Sequence, residues 1–157
     1  DMIESDARLS SDGVVFALHD ADLARIAKNP ITVAATGSER LRAVRLEGGE
    51  RLATLSSVLS ECGRLCPVLV DVKRSDAAII RAILDTIKRI GHRHEVWIGV
   101  RDIEQCKLLS TAAPSIPVLA FLQNYEDAPA FERAGAQAHR VWEGDLGAPT
   151  VPTLFGR

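Results

Sequence analysis

The sequence predicts an α/β fold built on parallel strands, and three observations carry that prediction. Strand-like and helix-like segments alternate at least three times between residues 67 and 142. Val68-Leu69-Val70-Asp71-Val72 is rich in β-branched residues without a polar alternation, the pattern of a strand buried on both faces. Ile79, Ile80, Ile83, Leu84, Ile87 and Ile90 recur at helical spacing, one apolar side of an amphipathic helix. Such alternation implies right-handed crossovers between parallel strands, which a doubly wound open sheet and a (β/α) barrel satisfy equally well.

The elements follow in order. Residues 2–9 and 13–19 form two extended runs around Ser10-Ser11-Asp12-Gly13, where Gly tolerates the positive φ of a tight hairpin. Residues 20–36 look irregular, with Asn29-Pro30 as a breaker. Ser38 caps a short helix over 38–44, and Thr54 caps another that runs to about Cys62. The strand at 68–72 leads into a helix over 75–90, capped by Ser75 or Asp76 and stopped at Gly91. Residues 96–100 are the next strand, and Asp102 caps a helix to about Ala112. A strand at 117–122, a helix near 126–134 ended by Gly135 and a short strand at 138–142 complete the pattern. Residues 143–157 have no periodicity, and no linker divides the chain, so the whole is one domain.

Composition narrows the function. The 157 residues are 46% hydrophobic and 25% charged, an ordinary globular balance with a core large enough to need no staple. A net charge of −2 and the absence of a Lys/Arg run argue against a nucleic-acid groove but leave small anionic substrates open. No apolar run approaches the ~20 residues of a membrane span, so stable membrane insertion is not expected. Cys62, Cys66 and Cys106 are odd in number and lack the spacing of a zinc site, so free, buried or half-buried thiols are expected. His92 and His94 have no third ligand nearby and read as a polar loop, and Trp97 reads as core. The chain begins with Asp1, inside an element, so an amino-terminal segment is expected to be missing; a cytoplasmic location is expected, with a periplasmic or secreted one left open for that reason.

Glu4 and Asp6 lie two apart on an extended run, so both carboxylates point to one side. Such a pair suits Mg²⁺ or Ca²⁺, although solvated strand faces alternate in the same way. If the hairpin loop centres on Ser11-Asp12, residue 4 lies opposite His19. If it centres on Asp12-Gly13, residue 6 does. Either register brings the imidazole beside a carboxylate, where it can act as general acid or base. Asp71 and Lys73 end the strongest strand, the place where open α/β sheets and barrels bind ligands. Asp71 is a candidate third metal ligand, and Lys73 a point charge for a phosphoryl oxygen.

These residues resemble a known family. Glu4-Ser5-Asp6, then Asp12-Gly13, the run Val14-Val15-Phe16-Ala17-Leu18, His19-Asp20 and Leu23 with Arg25 resemble the signature of glycerophosphodiester phosphodiesterases. Gly49-Glu50-Arg51-Leu52-Ala53-Thr54-Leu55 is similar to the family's segment before its next helix, and Asp71-Val72-Lys73 to its strand-end Glu-x-Lys. The resemblance implies a (β/α)8 TIM-barrel, incomplete here, since a full barrel takes about 250 residues. It implies Glu4, Asp6 and Asp71 as ligands of a divalent cation (Mg²⁺ or Ca²⁺), His19 as an acid–base residue, Lys73 as a phosphate-binding residue, and Trp142 as a contact to the glycerol end. The implied reaction is hydrolysis of glycerophosphodiesters to sn-glycerol 3-phosphate and an alcohol, in lipid and glycerol metabolism. A non-catalytic binding module and a related barrel phospholipase or lyase are the alternatives. The sequence departs from the family in lacking its opening His-Arg strand, its Glu-Asn segment and its closing strands, and in carrying Asp71 for Glu. Exposed strand edges of a partial barrel invite pairing, so self-association is expected.

Overall fold

The computed structural model of the chain describes residues 2–74, 76–90 and 95–141. The hairpin comes first: β1 (Ile3–Leu9) and β2 (Val15–Ala17). The segment expected to be irregular contains short elements, namely β3 (Asp22–Leu23), α1 (Ala24–Ala27) and β4 (Asn29–Thr32). After α2 (Ser38–Ala43) and α3 (Leu55–Glu61), strands and helices alternate as β5 (Val68–Val72), α4 (Ala77–Ile90), β6 (Val96–Val100), α5 (Ile103–Ala112), β7 (Val118–Phe121), α6 (Ala128–Arg133) and β8 (Ala138–Arg140).

Side-chain capping accounts for the starts of α3, α4 and α5. Thr54 and Asp102 accept backbone N–H bonds from Ser57 (3.2 Å) and Gln105 (3.0 Å), and Asp76 accepts one from Ile79 (3.0 Å). Ser38 is not the cap of α2: the flanking residue is Gly37, and the carboxylate of Asp12, reaching over from the hairpin loop, accepts from Ser38 N (2.9 Å) and Ser38 Oγ (2.7 Å). Ser75, Gly91, His92 and His94 lie outside the described residues.

The six-stranded sheet runs β2-β1-β5-β6-β7-β8, with β2 antiparallel and every other neighbouring pair parallel. The parallel strands advance in one direction with no reversal of order, which separates a barrel arc from a doubly wound sheet. The arc is open, with β2 and β8 at its edges. Its convex face carries the main core, in which Ala7, Val68, Val70, Val72, Ile98, Val100, Val118 and Ala120 pack against Ile79, Ile80 and Ile83 of α4, Leu109 of α5 and Phe131 of α6. A second core of Phe16, Leu18, Leu23, Val33, Leu41 and Leu52 holds the excursion between β2 and α3.

Side chains alternate along a strand, so residues between those core positions face the concave side. Asp6 of β1, Asp71 of β5 and Gly99 of β6 stand side by side there, Asp6 paired with Asp71 and Asp71 with Gly99. Trp97 also belongs to this face: it is half-buried rather than core, and its indole Nε1 donates to Glu95 at 2.8 Å. Cys62 and Cys66 are half-buried and Cys106 is buried, all as free thiols.

Candidate functional site

The site forms on the concave face, where Asp71 and Lys73 lie at the carboxyl end of β5, Arg101 follows β6, and Glu4 and Asp6 stand on β1 beside Leu69 and Asp71. One carboxylate oxygen from each of Glu4, Asp6 and Asp71 lies within 4.8 Å of the others. The sequence placed Glu4 and Asp6 on one face, and the parallel register of β1 with β5 adds Asp71 directly beside Asp6. Lys73, two residues past Asp71, turns its ammonium between them, 2.8 Å from Asp6 Oδ1 and 2.5 Å from Asp71 Oδ2.

Arg101, the residue that follows β6, was not singled out from sequence. Its guanidinium grips Asp71 bidentately, Nη1 on Oδ1 and Nη2 on Oδ2 (2.9 Å), and Nη1 also donates to the Val72 carbonyl at 3.3 Å. The guanidinium carbon lies 4.2 Å from the centre of the Phe121 ring, a cation–π contact that fixes its plane. The signal available in the sequence was position alone: a cation immediately after a strand, as Lys73 is.

These contacts set the electrostatics. Asp71 is 1% exposed. Burial pushes its carboxyl up, but the bonds from Arg101 and then Lys73 outweigh that and hold it below the usual carboxylate range. Burial pushes Lys73 down, yet Asp6 and Asp71 raise it overall, and the bond to Asp71 raises Arg101. Asp71, Lys73 and Arg101 therefore remain ionised at neutral pH.

The donor set fits a hard divalent cation. All three acids offer oxygen, and their separation suits one ion bound at about 2.0–2.6 Å from each. Asp6 Oδ1 supplies the independent observation. It is buried, and Lys73 approaches it as an ion pair too poorly aligned for a hydrogen bond, which leaves an acceptor without a donor. Asp71 differs, since both of its oxygens are engaged by Arg101 and Lys73.

His19 is not where either hairpin register would put it. The strands pair Ala7 with Ala17, Arg8 with Phe16 and Leu9 with Val15, which centres the loop on Asp12 itself. Both anticipated registers assumed a two-residue loop. The observed loop has three residues, closed by Ser10 N to Val14 O (2.9 Å) and by Gly13 at φ 84. Continued, this pairing would set residue 19 against Ser5, on the opposite face from the carboxylates, but β2 ends first at Ala17. His19 instead bonds through Nδ1 to Asp20 Oδ1 (2.8 Å), and Arg8 holds its backbone carbonyl from Nη2 (2.7 Å). Asp20 is anchored in turn by Arg25 Nε at 2.6 Å, and the bonds from Arg25 and His19 lower its carboxyl to about 2. Trp142 lies outside the described residues.

A separate groove of about 620 Å³ lies on the helical side, between Val14, Thr54, Arg81 and Arg89.

The glycerophosphoryl diester phosphodiesterase family model matches residues 1–142. The chain belongs to that family. Among solved structures, the fold of this family member is similar to that of a Galdieria sulphuraria protein assigned as a glycerophosphodiester phosphodiesterase, with TM-score 0.75 and 12% identity over 88% of this chain and 61% of that one. A glycerophosphodiester phosphodiesterase from Parabacteroides distasonis matches with TM-score 0.71 and 19% identity, over 87% of this chain and 58% of that one. An Oleispira antarctica phosphodiesterase, solved with its product sn-glycerol 3-phosphate, matches with TM-score 0.70 and 14% identity, over 90% and 73%. These likenesses place the arc in the TIM-barrel class, and the chain spans about three fifths of the first two structures. No curated protein matches the chain significantly by sequence. No helix among the described residues is long and apolar enough to cross a membrane.

Proposed function

We propose that this family member hydrolyses glycerophosphodiesters to sn-glycerol 3-phosphate and an alcohol, with a divalent cation (Mg²⁺ or Ca²⁺) held by Glu4, Asp6 and Asp71. The observation that carries the reading is the convergence of those three carboxylates with Lys73 near the carboxyl end of β5, the end at which barrel folds place their chemistry. Family membership supports the same reaction class. A cation bound there supplies charge neutralisation at the phosphoryl oxygen. Lys73, whose ammonium lies between Asp6 and Asp71, offers its charge to a phosphoryl oxygen. His19, with Nδ1 occupied by Asp20, presents Nε2 for proton transfer to or from the reacting oxygens. In this reading residues 1–157 belong to one barrel domain working in cytoplasmic lipid and glycerol metabolism.

The test is release of sn-glycerol 3-phosphate from glycerophosphocholine, with and without chelator. Chelator-sensitive release that Asp6→Asn abolishes supports the proposal. A cyclic phosphate product would identify a lyase instead. The pairing of His19 with Asp20 rather than with a carboxylate of the cluster favours a second reading, a non-catalytic binding module. Cation binding without any turnover, in this chain and in longer forms of the barrel, would select it.

A further inference from the structure

Glu4, Asp6 and Asp71 face Lys73 and Arg101, an excess of one negative charge. A divalent cation added to this set converts it to an excess of one positive charge, the complement of a phosphodiester anion. Asp71 serves such a cation poorly while Arg101 and Lys73 together occupy both its oxygens, because they compete with the ion for the same lone pairs. The more exposed of its two partners is Arg101, whose side chain is 36% exposed against 14% for Lys73. The Phe121 ring beneath Arg101 does not depend on Asp71, so it can keep the guanidinium at the site after the carboxylate lets go.

We propose that Arg101 is an anion-binding residue of this site, clasped by Asp71 until a divalent cation takes that carboxylate and then turned to the phosphoryl group. The inference deepens the phosphodiesterase reading and rests on it for the identity of the anion. Cation and anion binding are then coupled: the ion frees the guanidinium, and an anion that engages the guanidinium relieves its competition with the ion. Linkage makes the effect reciprocal, so sn-glycerol 3-phosphate raises Ca²⁺ affinity by the same factor as Ca²⁺ raises affinity for sn-glycerol 3-phosphate.

Calorimetry on the full chain tests this, with Ca²⁺ alone, with sn-glycerol 3-phosphate alone and with each in the presence of the other. In the wild type each ligand strengthens the other. Arg101→Gln removes the clasp and the anion donor together. Its Ca²⁺ affinity without anion rises about tenfold, within the usual range of coupling factors. Its affinity for sn-glycerol 3-phosphate falls at least about tenfold, as loss of a charged hydrogen bond implies, and the coupling disappears. An unchanged or weakened Ca²⁺ affinity in Arg101→Gln, or retained anion binding, overturns the assignment. Should that variant not fold, Arg101→Lys keeps the charge and loses the fork. It binds Ca²⁺ more tightly than the wild type and sn-glycerol 3-phosphate more weakly, and a wild-type Ca²⁺ affinity there overturns the proposal equally. Because both titrations read binding, a protein that shows the coupling but no turnover sinks the hydrolase reading alone. A protein that turns over substrate without the coupling sinks this assignment alone.

Discussion

Gly99→Ala is a small change that reaches the site through packing. Gly99 stands beside Asp71 on the concave face, and a Cβ built on it falls 2.2 Å from Phe121 Cε2, 3.1 Å from Cζ and 3.2 Å from Cδ2. Carbon atoms in contact normally lie about 3.5–4.0 Å apart, so the methyl overlaps the ring by more than about 1 Å. Phe121 is 5% exposed and has no flexible end to swing aside, so the ring must shift as a body. Overpacking of this kind costs about 1–3 kcal/mol. For a domain of this size each kcal/mol lowers the melting temperature by about 2–4 °C, which gives a fall of about 2–12 °C in a thermal scan. The same displacement removes the surface on which Arg101 stacks, so affinity for sn-glycerol 3-phosphate falls with it. The double variant Gly99→Ala/Phe121→Leu is expected to be less destabilised than the sum of its parts, because the smaller side chain relieves the overlap. Wild-type melting and wild-type anion binding in Gly99→Ala would refute this account of the concave face.

Three further outcomes follow from other parts of the molecule. Ile83 is fully buried between α4 and the sheet, so Ile83→Ala costs about 2–5 kcal/mol by denaturant titration. Asp12 is held at about 2 by bonds from Ser10 and Ser38, below its ordinary 3.8; a depressed carboxylate contributes stability that is full above 3.8 and lost as pH falls toward 2, so Asp12→Asn flattens the acid limb of an unfolding curve over that window. Burial raises the Cys106 thiol, so a thiol reagent at neutral pH labels Cys62 and Cys66 well before Cys106 in the folded protein.

The parts of the site that lie within one strand were legible from sequence. Period-two alternation put Glu4 with Asp6, and the apolar run of β5 marked Asp71 and Lys73 as strand-end groups. The juxtaposition of Asp6 with Asp71 was beyond it, because parallel register between strands some sixty residues apart is set by the whole core rather than by local pattern. The resemblance of the motifs supplied that link instead. The position of His19 was missed by one residue of register, since Ser11-Asp12-Gly13 forms a three-residue loop where a two-residue turn was assumed. Arg101 was passed over because a single arginine after a strand carries no pattern; its significance comes from Phe121 and Asp71, which belong to β7 and β5. The residues between β2 and α2 escaped for a related reason. The strands and helix there are two to four residues long and are held by a satellite core gathered from distant positions, such as Phe16, Leu23 and Leu41.

Calcium-soaked crystals of the full chain put the central claim to its most direct test. The account predicts anomalous density for one ion about 2.3–2.6 Å from a carboxylate oxygen of each of Glu4, Asp6 and Asp71, with the Arg101 guanidinium withdrawn from Asp71. Density at another place, or an undisturbed Arg101–Asp71 pair with no ion at saturating calcium, would contradict it.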